Sequence, residues 1–154
     1  LIERSNQMII DERLEFCDAT TLTTGTGTSL QGDVIDIGSE RNIGMGQPLY
    51  LVIQLTAAVT SGGSATVDFH LVSDAQAAIA VDGTETKHMS TGPVPKADLV
   101  LGKRFVMPIP MGKAYEQFVG VEITTAAAAL TAGAMDAFLT YDPAGWTAYP
   151  DATN

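Results

Sequence analysis

Two histidines, one cysteine and eighteen carboxylates are what this chain of 154 residues brings to acid–base, nucleophilic or metal chemistry. His70 falls on the polar positions of an alternating run, between Phe69 and Leu71, and His88 lies beside Lys87 in a polar stretch. Neither is followed by a second ligand at a His-x-His or His-x-x-x-His spacing, so both read as surface or interface histidines rather than bases or zinc ligands. A hydrolase triad needs a nucleophile, a base and an orienting group, and the chain has no Gly-x-Ser-x-Gly elbow. Cys17, between Phe16 and Asp18, has no partner for an intrachain disulfide and reads as a buried structural thiol. Gly44-Met45-Gly46 opens a Gly-x-Gly pattern, but Leu49 stands where a dinucleotide-binding loop needs its third glycine. Gly102-Lys103-Arg104 and Gly112-Lys113-Ala114 lack the hydroxyl residue and upstream glycine of a phosphate loop. Alternation puts Asp33 and Asp36 on opposite faces of a strand, outside any calcium-loop pattern. Paired carboxylates could serve a glycosidase, but aromatics are 6% of the chain and its one tryptophan, Trp146, lies in the tail with Tyr149. No catalytic, cofactor-binding or metal-binding residue is expected, and no cofactor.

The elements that would carry these residues are strands. Residues 46–74 organise the chain. Leu49, Leu51, Ile53 and Leu55 share one face of a first run; Val67, Phe69 and Leu71 share one face of a second. A period of two means pleated strands with one buried face. Ser61-Gly62-Gly63-Ser64 between them suits a tight connection, so the stretch predicts a long central antiparallel hairpin. Further short strands are expected at 33–37, 104–109, 115–124 and 134–141, with 84–91 an edge strand or loop. Pro108 and Pro110 keep 104–109 at a sheet edge. The Thr- and Gly-rich residues 17–31, and 39–46 and 125–133, read as loops. Ser73 followed by Gln76 is a capping-box pattern that predicts up to two helical turns over 73–80. Pro95 opens one more turn. Seven or eight short strands with almost no helix, and no repeat of fixed period, predict an all-β, single-domain antiparallel sandwich of jelly-roll type. Residues 1–7 are expected to be a flexible N-terminal extension and 8–154 the domain.

Composition narrows the partners. The net charge of −10 disfavours nucleic acid and anionic membrane, and the few basic residues are scattered. No charged-apolar-small leader and no long apolar run marks the chain as secreted or membrane-spanning. Charged residues are 17%, below the usual quarter, so much of the surface is Thr, Ser, Gly, Ala, Gln and Asn. Such a surface suits a protein that packs against neighbours. The candidate contact residues are Met8, Ile9, Ile10 and Phe16 on an N-terminal arm, Tyr50 and Val52 (with Gln54) on the exposed face of the central hairpin, and Trp146 and Tyr149 in the tail. Arms can add a strand to a neighbouring sheet, and Trp and Tyr are favoured anchors.

The runs LEFCDA (14–19), GDVIDIG (32–38), GQPLYLVIQ (46–54), SGGSATVDFHLVSD (61–74), AFLTYDP (137–143) and AYPDATN (148–154) resemble the capsid cement, or decoration, proteins of tailed bacteriophages. The similarity keeps its order from about residue 8 to the end. The resemblance implies a jelly-roll protein without catalytic residues, made in the host bacterial cytoplasm. It would bind the major capsid (coat) protein at capsomer junctions on the outer surface of an icosahedral head. It would be a homo-oligomer, a dimer astride two-fold positions ahead of a trimer at three-fold ones. The rival expectation is a carbohydrate- or receptor-binding sandwich module of a phage particle, which would need a shallow aromatic platform.

Overall fold

The computed structural model describes residues 11–143. Nine strands run in chain order: β1 (Glu15–Thr21), β2 (Gly27–Asp36), β3 (Tyr50–Ser61), β4 (Thr66–Asp74), β5 (Thr86–Ser90), β6 (Val94–Pro95), β7 (Arg104–Pro108), β8 (Phe118–Ala126) and β9 (Leu130–Thr140). Single 3-10 turns precede β1 (Glu12–Leu14) and follow β6 (Lys96–Asp98). One sheet has the order β1-β9-β3-β7 and the other β2-β8-β4-β5, with the two-residue β6 added to β4. All pairings are antiparallel. Apart from β4, β5 and β6, which share one sheet, successive strands alternate between a four-stranded and a five-stranded sheet, the jelly-roll arrangement.

The two sheets close on one apolar core. Leu51, Ile53 and Leu55 from β3 meet Val67, Phe69 and Leu71 from β4 and Val119, Val121 and Ile123 from β8, all at most 1% exposed. The strand faces are therefore those that alternation predicts, but the predicted hairpin is absent. β3 and β4 lie in different sheets, so 62–65 is an arch across the core and not a hairpin turn. Strands that face each other across a core present the same alternation as strands that lie side by side.

Other expectations change for local reasons. Residues 17–31 are mostly strand, because threonine is β-branched and suits a pleat; the loop shrinks to 22–26. Likewise β8 and β9 extend into 125–133 and leave 127–129 as the turn, with Ala127 at φ 69°. No helix forms over 73–80. The Ser73 hydroxyl is engaged by Glu116 N–H and His88, and Asp74 instead accepts the N–H groups of Gln76 and Ala80. Gly32, at an irregularity within β2, lets that strand approach β1 closely: it has φ +64°, and a Cβ there would fall 1.9 Å from the Phe16 carbonyl oxygen. Strand β7 is an edge strand of its sheet, as its prolines require.

Candidate interaction surfaces

The expected contact residues separate. Met8, Ile9, Ile10, Trp146 and Tyr149 lie outside the described residues. Phe16 opens β1 into the core and is 1% exposed. Val52 has no exposed surface, and Gln54 beside it is buried and donates its amide to Asp136 Oδ2 at 3.1 Å. The face of β3 opposite the core is thus not a free surface at Val52 or Gln54, contrary to the sequence expectation. Alternation tells which residues share a face and not whether that face meets water. Tyr50, at the start of β3, is half-buried.

A different set of side chains is free. Met45, Met111 and Tyr141 are 70%, 61% and 54% exposed, and they sit at one end of the sandwich. Tyr50 pairs with Pro108 on one side and Thr140 on the other, which brings the end of β7 and the end of β9 together. Met111 follows the first and Tyr141 the second. The turn bearing Met45 packs there too: Gly44 lies against Leu49 and Ile109, and Ile109 N–H donates to the Leu49 carbonyl at 2.8 Å. Sequence periodicity misses these residues because a methionine set among glycines belongs to no periodic run; an apolar residue isolated inside turn chemistry is itself the signal.

The histidines are more enclosed than expected. His70 is 8% exposed on the outer face of the β2-β8-β4-β5 sheet. Its Nε2 lies 3.4 Å from Thr124 Oγ1 and 3.6 Å from Asp68 Oδ2. Directly across on β8, Glu122 has no exposed surface. Lys87 Nζ lies 2.5 Å from Glu122 Oε1 and 3.6 Å from Glu85 Oε1, and Glu85 is buried as well. Burial pulls the Lys87 ammonium down, but the hydrogen bond and charge of Glu122, with Glu85 behind it, outweigh that and hold it above its usual range. Residues 75–85 border this patch. Ile79 lies over Gly120, where a Cβ would meet its Cδ1 at 2.8 Å, and Gly83 N–H donates to Glu85.

His88 Nε2 lies 2.7 Å from Ser73 Oγ, a spacing that a nucleophile and its base would share. Ser73 has no exposed surface, and its oxygen also accepts the Glu116 N–H. No substrate can reach that hydroxyl without the strands parting. Cys17 is 2% exposed, and burial pushes its thiol up to about 12. Among the described residues no group of three or more His, Cys, Asp or Glu side chains could hold a metal ion. No helix among them is long and apolar enough to cross a membrane.

An acidic hollow is lined by Glu12, Glu15, Asp18 and Asp33 at the β1–β2 corner. Partial burial, then the neighbouring charges of Asp18, Asp136, Glu12 and Asp33, raise the Glu15 carboxyl.

The fold and its surfaces define a jelly-roll sandwich with Met45, Met111 and Tyr141 free at one end, further exposed apolar side chains at Val81, Val100, Leu101 and Val106, and both histidines and Ser73 at least partly enclosed. Residues 16–139, from β1 into β9, match the Bbp16 family, and the chain belongs to it. No curated protein matches the chain.

Proposed function

We propose that this protein is a capsid cement protein. It acts without catalysis, on the outer surface of an icosahedral phage head, by binding the coat protein where capsomers meet. The observation that carries the reading is the set of sequence runs that resemble such proteins. Runs 14–19, 32–38, 46–54, 61–74 and 137–143 fall on β1, β2, β3, β4 and β9, which include three of the four strands of one sheet. Membership of the Bbp16 family, a surface poor in charge and the enclosure of Ser73 agree with it. A cement protein stabilises a shell by adding area across a seam, and many copies act together through multivalency. The Met45–Met111–Tyr141 end supplies exposed apolar area for such a seam. The protein would act as a symmetric homo-oligomer, a dimer on two-fold positions ahead of a trimer, after synthesis in the host cytoplasm.

The test is co-sedimentation of the purified chain with expanded and unexpanded phage heads, with thermal stability of the heads as second readout. Binding to expanded heads that raises their melting temperature is expected. A double variant, Met45→Glu with Met111→Glu, should fold normally and bind roughly tenfold or more weakly, because charge replaces apolar anchors. Glycan binding with no affinity for heads would move the assignment to a receptor-binding module.

A further inference from the structure

One ring ties together four segments at the apolar end. Ser73 Oγ on β4 accepts the Glu116 N–H at 3.1 Å, so its proton is free to go to His88 Nε2 on β5, 2.7 Å away. In that arrangement Nε2 is an unprotonated acceptor. The His88 ring stacks on Tyr115, with centroids 4.0 Å apart and planes at 29°. Tyr115 has no exposed surface and donates its hydroxyl to the Pro110 carbonyl at 3.2 Å. Its backbone exchanges two hydrogen bonds with Arg41, at 2.9 and 2.8 Å. His88 therefore holds the 109–117 connection directly and the 37–49 connection through Tyr115. Those two connections carry Met111 and Met45.

We propose that His88 is an acid-sensitive latch on this end of the sandwich: neutral, it holds the 109–117 connection against β4 and β5, and protonated, it lets it go. A proton on Nε2 turns the acceptor into a donor facing the Ser73 hydroxyl proton, so one hydrogen bond must break or turn. The charge would also arise in a half-buried site. The charged groups around it do not compensate fully. On the connection, Lys113 repels the imidazolium and Glu116 attracts it, but Glu116 Oε1 already accepts the Thr86 hydroxyl at 2.9 Å. On β5, Lys87 is engaged by Glu122 and Glu85. On β4, Asp74 is taken by the N–H groups of Gln76 and Ala80. On the 37–49 connection, Arg41 turns to the Ser39 hydroxyl. Burial first, then Lys113, hold the His88 ring below its ordinary range against a smaller opposing pull from Glu116. The neutral, latched form thus persists through neutral pH. Because the unfolded chain binds the proton more readily, the latch weakens only as pH falls below the ordinary histidine value.

Amide hydrogen exchange read by mass spectrometry, at about pH 7.5 and about pH 5 and corrected for intrinsic rate, tests this. Protection over 109–117 should fall severalfold in acid while β3 and β9 keep theirs, because the open state binds the proton more readily than the latched one. His88→Gln supplies a non-titrating acceptor for Ser73 and should keep its protection at both pH values. Equal wild-type protection at both pH values, or an acid loss in the Gln variant matching wild type, overturns the latch. Should that variant fail to fold, NMR titration of the wild-type ring decides. The latch requires a midpoint below the ordinary value, with 109–117 amides shifting at the same midpoint. An ordinary midpoint with still amides refutes it.

Discussion

The apolar core between the sheets and the His70–Glu122 patch on the outer face of the β2-β8-β4-β5 sheet are both buried, and opposite physics closes them. Phe69, Leu71, Val121 and Ile123 point inward and are enclosed by the other sheet. One residue along, His70 and Glu122 point outward and are nonetheless buried, with Asp68 and Thr124 beside the histidine and Lys87 bound to the glutamate. The core is held by transfer of apolar area, which is non-directional and tolerant of detail. The outer patch is held by a lysine between two buried carboxylates, which works only while every charge keeps its partner. Glu122 Oε2 and His70 Nδ1 have no hydrogen-bond partner among the described residues, so this patch is the less completely satisfied of the two.

Emptying each region in turn should give different losses. Phe69→Ala removes a fully buried ring and should cost about 3–5 kcal/mol, read as a lower midpoint in urea with little change in slope. Lys87→Ala should come next, at about 2–3 kcal/mol, less than for a wholly buried pair because the lysine side chain is 41% exposed. The distinguishing result is rescue: adding Glu122→Gln to Lys87→Ala should recover most of the loss, whereas no second polar change would rescue Phe69→Ala. The Lys87 contribution should be full at neutral pH and fade only as pH rises through the raised lysine value, since a cation whose folded pKa is raised loses its stabilisation on deprotonation. The smallest effect is expected at the acidic β1–β2 corner. There Glu15→Gln should stabilise by no more than about 0.5 kcal/mol at low salt, and less as salt rises. That gain should vanish as pH falls below the ordinary carboxylate range, where the unfolded glutamate is already protonated. A Glu15→Gln that destabilises would mean the hollow is held by hydrogen bonds and not strained by like charge.

The two regions also differ in how far they can be read from the chain. Alternation exposes the core faces of β3, β4 and β8 residue by residue, because a strand's period is a property of the backbone. It does not say which strands share a sheet. The arch at 62–65 and a hairpin at the same place carry the same glycines and serines and the same apolar register, and only the packing of distant β8 and β9 separates them. The irregular course of 75–85 is hidden for another reason. Ser73 looks like a helix cap, but its hydroxyl is claimed by Glu116, 43 residues away, and Asp74 takes the local N–H groups instead. Such competition is decided by tertiary contacts. The free apolar end escaped for a third reason: Met45 and Met111 stand alone among turn residues, where no period operates. Phe16 and Val52, by contrast, were conspicuous in sequence because they sit in apolar runs, and those runs are what the fold encloses.

Cryo-electron microscopy of expanded phage heads, with and without the added protein, tests the proposed cement role most directly. Extra density of sandwich size is expected at capsomer junctions, on the outside of the shell, at two-fold positions, with the Met45–Met111 end turned toward a neighbour. Heads that look the same with and without the protein, at concentrations where it is folded, would contradict it.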